Sequence, residues 1–306
     1  MKMIFDSVTQ LIGRTPIIKA KKYADVGADL YMKLESFNPG GSVKDRAALY
    51  MIEDAERSGL LKEGGTIIEA TSGNTGISLA MIGAAKGMKV IIVMPDTMSI
   101  ERRLLMKAYG AEVILTPGSL GMTGAVDVAK KMALDKGYFM PDQFNNLANV
   151  TAHVETTAKE ILEEFGDKLN VFVAGVGSGG TLTGVARVLK QNNPNVKIIA
   201  VQPEKSQVLS GGSPSGHKIQ CIGANFIPEI LDRSIIDDIY NISEESAFEG
   251  SKRLSKEMGI LAGVSSGANY IAAINIAKEL QTNKKVLTVL PDTGERYLSA
   301  GLFEEN

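Results

Sequence analysis

Four stretches of this chain carry residue types that do chemistry. The first is PGGSVKDR at 39–46. Pro39, Gly40, Gly41 and Ser42 favour a turn, and Lys44 is the first cation beyond it, where a helix over 45–57 can begin. A helix N-terminus is the positive end of the helix dipole and disfavours an ammonium group. That placement suits an amine that acts neutral, as a nucleophile toward an aldehyde. Read alone, Lys44 is an ordinary solvated surface lysine.

The other three stretches are loops rich in Gly, Ser and Thr. In IIEATSGNTG, an apolar run leads into Thr71, Ser72, Gly73, Asn74, Thr75 and Gly76 before a helical pattern. One N-cap needs one hydroxyl, whereas this loop offers three and an amide, which with the free N–H groups of a helix start makes a receptor for a carboxylate or phosphate. In AGVGSGGTLTG, Gly177, Ser178, Gly179, Gly180 and Thr181 again stand before a helix. Glycines let a phosphate approach the backbone, and no Walker lysine follows. The glycine spacing departs from the dinucleotide pattern, but Glu204 after the next apolar run keeps that reading open for this segment. In GILAGVSSGAN, Ser265 and Ser266 precede a helical stretch expected from about Gly267, and an N-cap is the plain reading. Together, an amine, a phosphate loop, a carboxylate loop and a serine pair fit pyridoxal phosphate with an amino-acid substrate. A serine at the pyridine nitrogen, where a carboxylate would protonate it, gives a weaker electron sink. Such a sink suits β-elimination and replacement better than transamination.

These residues need a scaffold. The chain has 306 residues, enough for about two domains, with 44% hydrophobic and 22% charged residues. A net charge of −2 without a basic run argues against nucleic acid or an anionic membrane as partner. No apolar run approaches the ~20 residues of a membrane span. The opening MKMIFDSVTQLIG lacks the apolar core of a secretion signal. A single cysteine, Cys221, and two distant histidines, His153 and His217, leave no basis for a disulfide, a Cys- or His-rich metal site, or a His-based triad. The expected compartment is the cytoplasm. Runs at 65–70, 89–95, 111–117, 170–177, 196–203 and 285–292 read as strands covered on both faces, with shorter ones at 17–20 and 30–34. Helical patterns lie at 75–87, 99–109, 123–136, 151–165, 181–193, 243–258 and 267–281. The alternation predicts an α/β protein with doubly wound, mostly parallel sheets. In such folds ligands sit at the C-terminal ends of strands.

The chain resembles the cysteine synthases (O-acetylserine sulfhydrylases), fold-type II pyridoxal phosphate enzymes. The likeness runs nearly end to end: IGRTPI (12–17), SVKDR (42–46), EATSGNTG (69–76), PDTMSIERR (95–103), GMTGA (121–125), GVGSGGTLTG (175–184), GHKIQ (216–220), GILAGVSSG (259–267) and PDTGERYL (291–298). The resemblance implies two α/β domains with the active site between them. The smaller, mobile one would span 48–148, and the larger, cofactor-binding one 1–47 plus 149–306. It implies that Lys44 forms the Schiff base with the cofactor and then serves as base at the α-carbon. Asn74 would bond the cofactor's 3′-oxygen, Gly177, Ser178, Gly179, Gly180 and Thr181 the phosphate, and Ser266 the pyridine nitrogen. Thr71, Ser72, Thr75 and Gln143 would grip the substrate carboxylate. The implied reaction converts O-acetyl-L-serine and sulfide into L-cysteine and acetate through an α-aminoacrylate. A homodimer, and the C-terminal tail of a serine acetyltransferase as a further partner, belong to the same expectation.

The sequence departs from the family pattern in IQCIGANF, where Cys221 and Asn225 stand at positions that are glycine in many relatives. Asn225 is therefore a candidate substrate contact, and Cys221 reads as a small buried filler. His153 and His217 read as structural. The departures keep an alternative in play: a cysteine β-lyase, or a lanthionine- or cystathionine-forming synthase that releases sulfide from cysteine. A tail-binding protein without activity is disfavoured by Lys44 and the complete phosphate loop, and a nicotinamide dehydrogenase by the glycine spacing. The chain closes at Asn306 with no appended regulatory domain expected.

Overall fold

The computed structural model describes residues 4–20 and 27–304. It divides into two compact units. One comprises the residues up to Ile12 together with Asn38–Asn149; the other comprises Gly13–Phe37 and the chain from Val150 onward.

The first unit is built on a parallel sheet of β3 (Thr66–Ala70), β4 (Lys89–Pro95) and β5 (Glu112–Thr116), in that order. Strands β3 and β4 are buried along nearly their whole length, because both faces are covered, whereas β5 at the edge is half-exposed. Ile67, Val90, Ile92 and Met94 pack with residues of α1 (Lys44–Arg57), α2 (Asn74–Ala85) and α3 (Ile100–Ala108). Ile68, Ala70, Ile91 and Val93 pack with Ala125 and Ala129 of α4 (Gly121–Lys136). Helix α2 is apolar nearly all round, as a helix buried on most sides must be. Beyond α4, Phe139 runs parallel to β3: its N–H donates to the Thr66 carbonyl (3.0 Å), and its carbonyl accepts from Ile68 N (2.8 Å).

The second unit holds β1 (Ile17–Lys19), β2 (Asp29–Leu34), β6 (Val171–Gly175), β7 (Lys197–Pro203), β8 (Asp238–Ile242) and β9 (Lys285–Leu290). Their order across the sheet is β1-β2-β9-β6-β7-β8, and every pair except β1–β2 is parallel. Strand β9 thus lies between β2 and β6. One face carries α8 (Glu244–Met258) and α9 (Val264–Glu279), the other α6 (Ala158–Phe165) and α7 (Gly180–Asn192). The short α5 (Leu147–Ala152) runs into α6 through a π-helical turn at His153–Thr157, so the helix expected over 151–165 begins four residues earlier. Strand β8 is absent from the sequence-based assignment. It is a half-exposed edge strand, and DIYNI lacks the apolar run that marks the others.

Candidate active site

Lys44 is the first residue of α1, as the turn before it requires. Gly41 takes φ +77°, and its N–H donates to the Asn38 carbonyl at 2.8 Å. The Lys44 N–H donates to Ser42 Oγ at 3.2 Å. The fully buried Asp45 binds the turn from inside the helix: its carboxylate accepts from Gly40 N at 2.6 Å and from Ser78 Oγ at 2.5 Å. Ser78 belongs to α2, so the carboxylate fastens the lysine helix to the helix that begins at Asn74.

The TSGNTG loop leaves β3 and opens α2 with Gly73 as its cap, a residue with no side chain to occupy the free N–H groups. Thr71, Asn74 and Thr75 are buried and Ser72 half-buried. Thr75 Oγ1 donates to Gln143 Oε1 at 2.7 Å, which brings Gln143 to this loop from 68 residues away. The Gln143 carbonyl accepts from Asn149 Nδ2 at 2.8 Å. Arg102, on α3, directs Nη1 at the Ser72 carbonyl at 3.5 Å. Glu69, the next-to-last residue of β3, is 3% exposed, and Oε2 accepts from Asp142 N at 3.0 Å. Burial first, with Asp142 adding its charge against the backbone N–H bonds, pushes the Glu69 carboxyl up to about 8.

In the second unit, Gly177–Thr181 connect β6 to α7. Gly179 is in the left-handed region at φ +89° and caps α7 without a side chain. A Cβ on Gly177 would lie inside contact distance of the Cys221 carbonyl oxygen. The loop therefore presents backbone N–H groups at a helix start, with no side chain in the way of an anion. Thr181 Oγ1 is 3.1 Å from His153 Nε2, and His153 Nδ1 is 2.9 Å from Thr157 Oγ1. His153, read from the sequence as structural, thus touches the Gly177–Thr181 loop from the π turn. Sequence spacing offers no signal for that contact.

Helix α9 starts at Val264, three residues before the expected Gly267, so Ser265 and Ser266 are not its caps. Gly263 is the cap, and its carbonyl accepts from Ser251 Oγ at 2.8 Å. Both serine hydroxyls are fully buried, and neither has a hydrogen-bond partner among the described residues. A buried unpaired hydroxyl costs free energy and points to a ligand. Asn225 has φ +65°, and its exposed side chain accepts from Ser206 Oγ at 2.7 Å. Cys221, also at positive φ, lies 3.6 Å from Tyr297 Oη, which donates to Asp292 Oδ2.

A phosphate-sized anion suits the Gly177–Thr181 loop, and a ring nitrogen suits Ser266 Oγ. Within the second unit, the residues present therefore fit the phosphate and the pyridine ring of pyridoxal phosphate, and Lys44 of the first unit is an amine of the kind that binds its aldehyde. The chain matches the family described as "Pyridoxal-phosphate dependent enzyme" over residues 8–292. It belongs to that family. Among its relatives, the cysteine synthase of Staphylococcus aureus is 56% identical over 300 residues, 97% of each chain. The solved O-ureido-L-serine synthase superposes with a TM-score of 0.96 at 48% identity, over 99% of this chain and 97% of that one. A hydrogen sulfide-producing enzyme from Fusobacterium nucleatum gives 0.92 at 48% identity, over 96% and 100%. This chain is similar to each of them, and it shares its α/β architecture with the two solved structures. No described helix is long and apolar enough to cross a membrane.

Proposed function

We propose that this pyridoxal phosphate enzyme is a cysteine synthase, which converts O-acetyl-L-serine and sulfide into L-cysteine and acetate. The observation that carries the reading is the 56% identity to a cysteine synthase across 97% of both chains. When bound, the cofactor draws electrons from the substrate's α-carbon, so that the α-proton and then the β-substituent can leave. The chain's own residues do the rest. Gly177, Ser178, Gly179, Gly180 and Thr181 hold the phosphate, Ser266 Oγ meets the pyridine nitrogen, and Asn74 the 3′-oxygen. Thr71, Ser72, Thr75 and Gln143 orient the substrate through its α-carboxylate. The Lys44 amine takes the α-proton and returns it after sulfide has added to the β-carbon.

The reading extends to a cytoplasmic homodimer that receives the C-terminal tail of a serine acetyltransferase in its active site, on the family resemblance in the sequence. A second reading, release of sulfide from L-cysteine, is supported by the 48% identity to the sulfide-producing Fusobacterium enzyme and by the departures at Cys221 and Asn225.

Visible absorbance of the purified enzyme tests both. O-acetyl-L-serine should shift the cofactor band, sulfide should restore it, and cysteine and acetate should appear in equal amounts. Faster sulfide release from L-cysteine than cysteine formation from O-acetyl-L-serine would move the assignment to the second reading. No cofactor band after addition of pyridoxal phosphate would overturn both.

A further inference from the structure

Glu69 is a carboxylic acid in a strand whose neighbours are Ile67, Ile68 and Ala70, all buried. It makes no ion pair among the described residues, and an apolar side chain would be the cheaper occupant of such a site. The reason for an acid there lies at the end of the ladder between β3 and Phe139. That ladder ends at Ile68, where the parallel segment turns away into Pro141 and Asp142. Glu69 Oε2 takes over as acceptor for the Asp142 N–H, and the Gln143 N–H is bonded to the same carboxyl.

Asp142 needs this hold. Its φ of +51° is an uncommon conformation for a residue other than glycine. From the other side, the Asp142 carbonyl accepts from Asn145 N and Asn146 N, both at 3.0 Å. Its carboxylate accepts from Asn145 Nδ2 at 3.0 and 2.9 Å. The next residue is Gln143. Thr75 donates to its amide oxygen, which leaves the amide NH₂ as the group free to donate to a carboxylate.

We propose that Glu69 is a positioning residue for the substrate carboxylate: by fixing the amides of Asp142 and Gln143, it sets the direction in which the Gln143 side chain donates. The inference rests on the reading that Gln143 and Thr75 bind the α-carboxylate. Acting through Gln143, Glu69 touches neither substrate nor cofactor. Its raised pKa makes glutamine the nearest mimic of its neutral-pH state, with an acceptor oxygen in the same place.

The test compares Glu69→Leu, Glu69→Asp and Glu69→Gln with the wild-type enzyme. Leucine removes the acceptor; aspartate withdraws it by one methylene and serves if the leucine variant does not fold. For both, KM for O-acetyl-L-serine should rise about tenfold or more, the worth of roughly one oriented hydrogen bond. The KM for sulfide, which has no carboxylate, and kcat should stay within about threefold of wild type on the same scale. Glu69→Gln should restore the wild-type KM. Before cofactor is added, hydrogen–deuterium exchange over residues 140–146 should be faster in the leucine and aspartate variants and unchanged in the glutamine variant. The proposal is overturned if exchange is unchanged in all three. It is equally overturned if exchange rises while the two KM values stay level or move together. Should the wild-type enzyme not turn over O-acetyl-L-serine, the proposed function fails. The same comparison is then made with L-cysteine, which offers the same α-carboxylate, and decides the role of Glu69 separately.

Discussion

Replacing Ser78 with alanine tests how the lysine-bearing helix is fixed. Ser78 Oγ donates to Asp45 Oδ1 at 2.5 Å, and both side chains are fully buried. The substitution deletes one oxygen and leaves the strand core untouched, so almost all of its effect is electrostatic. A hydrogen bond to a charged group contributes about 1.5–3 kcal/mol, and the upper part of that range applies because water cannot reach the buried Asp45 to replace the lost donor. Gly40 N still satisfies the other oxygen, which holds the loss below that of a fully stripped carboxylate. Urea denaturation of the full chain, followed by circular dichroism, should show Ser78→Ala destabilised by about 2–3 kcal/mol with an unchanged slope. Ser58→Ala, at an exposed site with a 3.3 Å bond to a carbonyl, is the control and should stay within about 0.5 kcal/mol. A loss below about 0.5 kcal/mol for Ser78→Ala would refute the view that Asp45 joins α1 to α2.

Three further outcomes follow from the same reasoning. Glu69 is raised from 4.5 to about 8 by burial, so its folded form holds a proton that the unfolded chain releases. Relative to Glu69→Gln, wild-type stability should be greatest below pH 4.5, fall by up to about 4–5 kcal/mol as pH rises to about 8, and stay level above it; parallel pH–stability curves would contradict this. Gly177→Ala would force its methyl against the Cys221 carbonyl, and equilibrium dialysis should show cofactor affinity reduced at least about tenfold. Lys33, 1% exposed, is bonded to the Thr15 carbonyl (3.0 Å) and paired with Glu160 (2.6 Å). Lys33→Ala should cost about 3–5 kcal/mol in the same urea assay, since it removes the cation from a largely buried ion pair whose carboxylate keeps the Arg14 N–H among its partners.

Much of the architecture is legible in the sequence because strands covered on both faces must be continuous apolar runs. That signal finds β3, β4, β6, β7 and β9 within a residue or two, and it misses β8, which is covered by little and pairs only with β7. The start of α9 is misplaced for a related reason. Serine before a helical pattern is the usual cap, but here the cap is Gly263, and the two serines turn inward. The candidate loops stand out in the sequence through their composition, since hydroxyls and glycines suit anion sites. The residues that hold the loops do not. Asp45, Glu69 and His153 act through contacts with Ser78, Asp142 and Thr181, and a contact between residues far apart in sequence leaves no trace in local pattern.

The place of β9 has a consequence for how the polypeptide emerges during synthesis. The three strands of the first unit are contiguous in the chain, and their sheet can pair as soon as Thr116 has been made. The six-stranded sheet has no such freedom. Strands β2 and β6 do not pair with each other; each pairs with β9, the last strand to be translated. Until residue 290 is available, the apolar flanks of β2 and β6 lack their shared neighbour. The centre of the second unit's sheet therefore stays unpaired until β9 emerges, whereas the first unit's sheet needs no strand made so late.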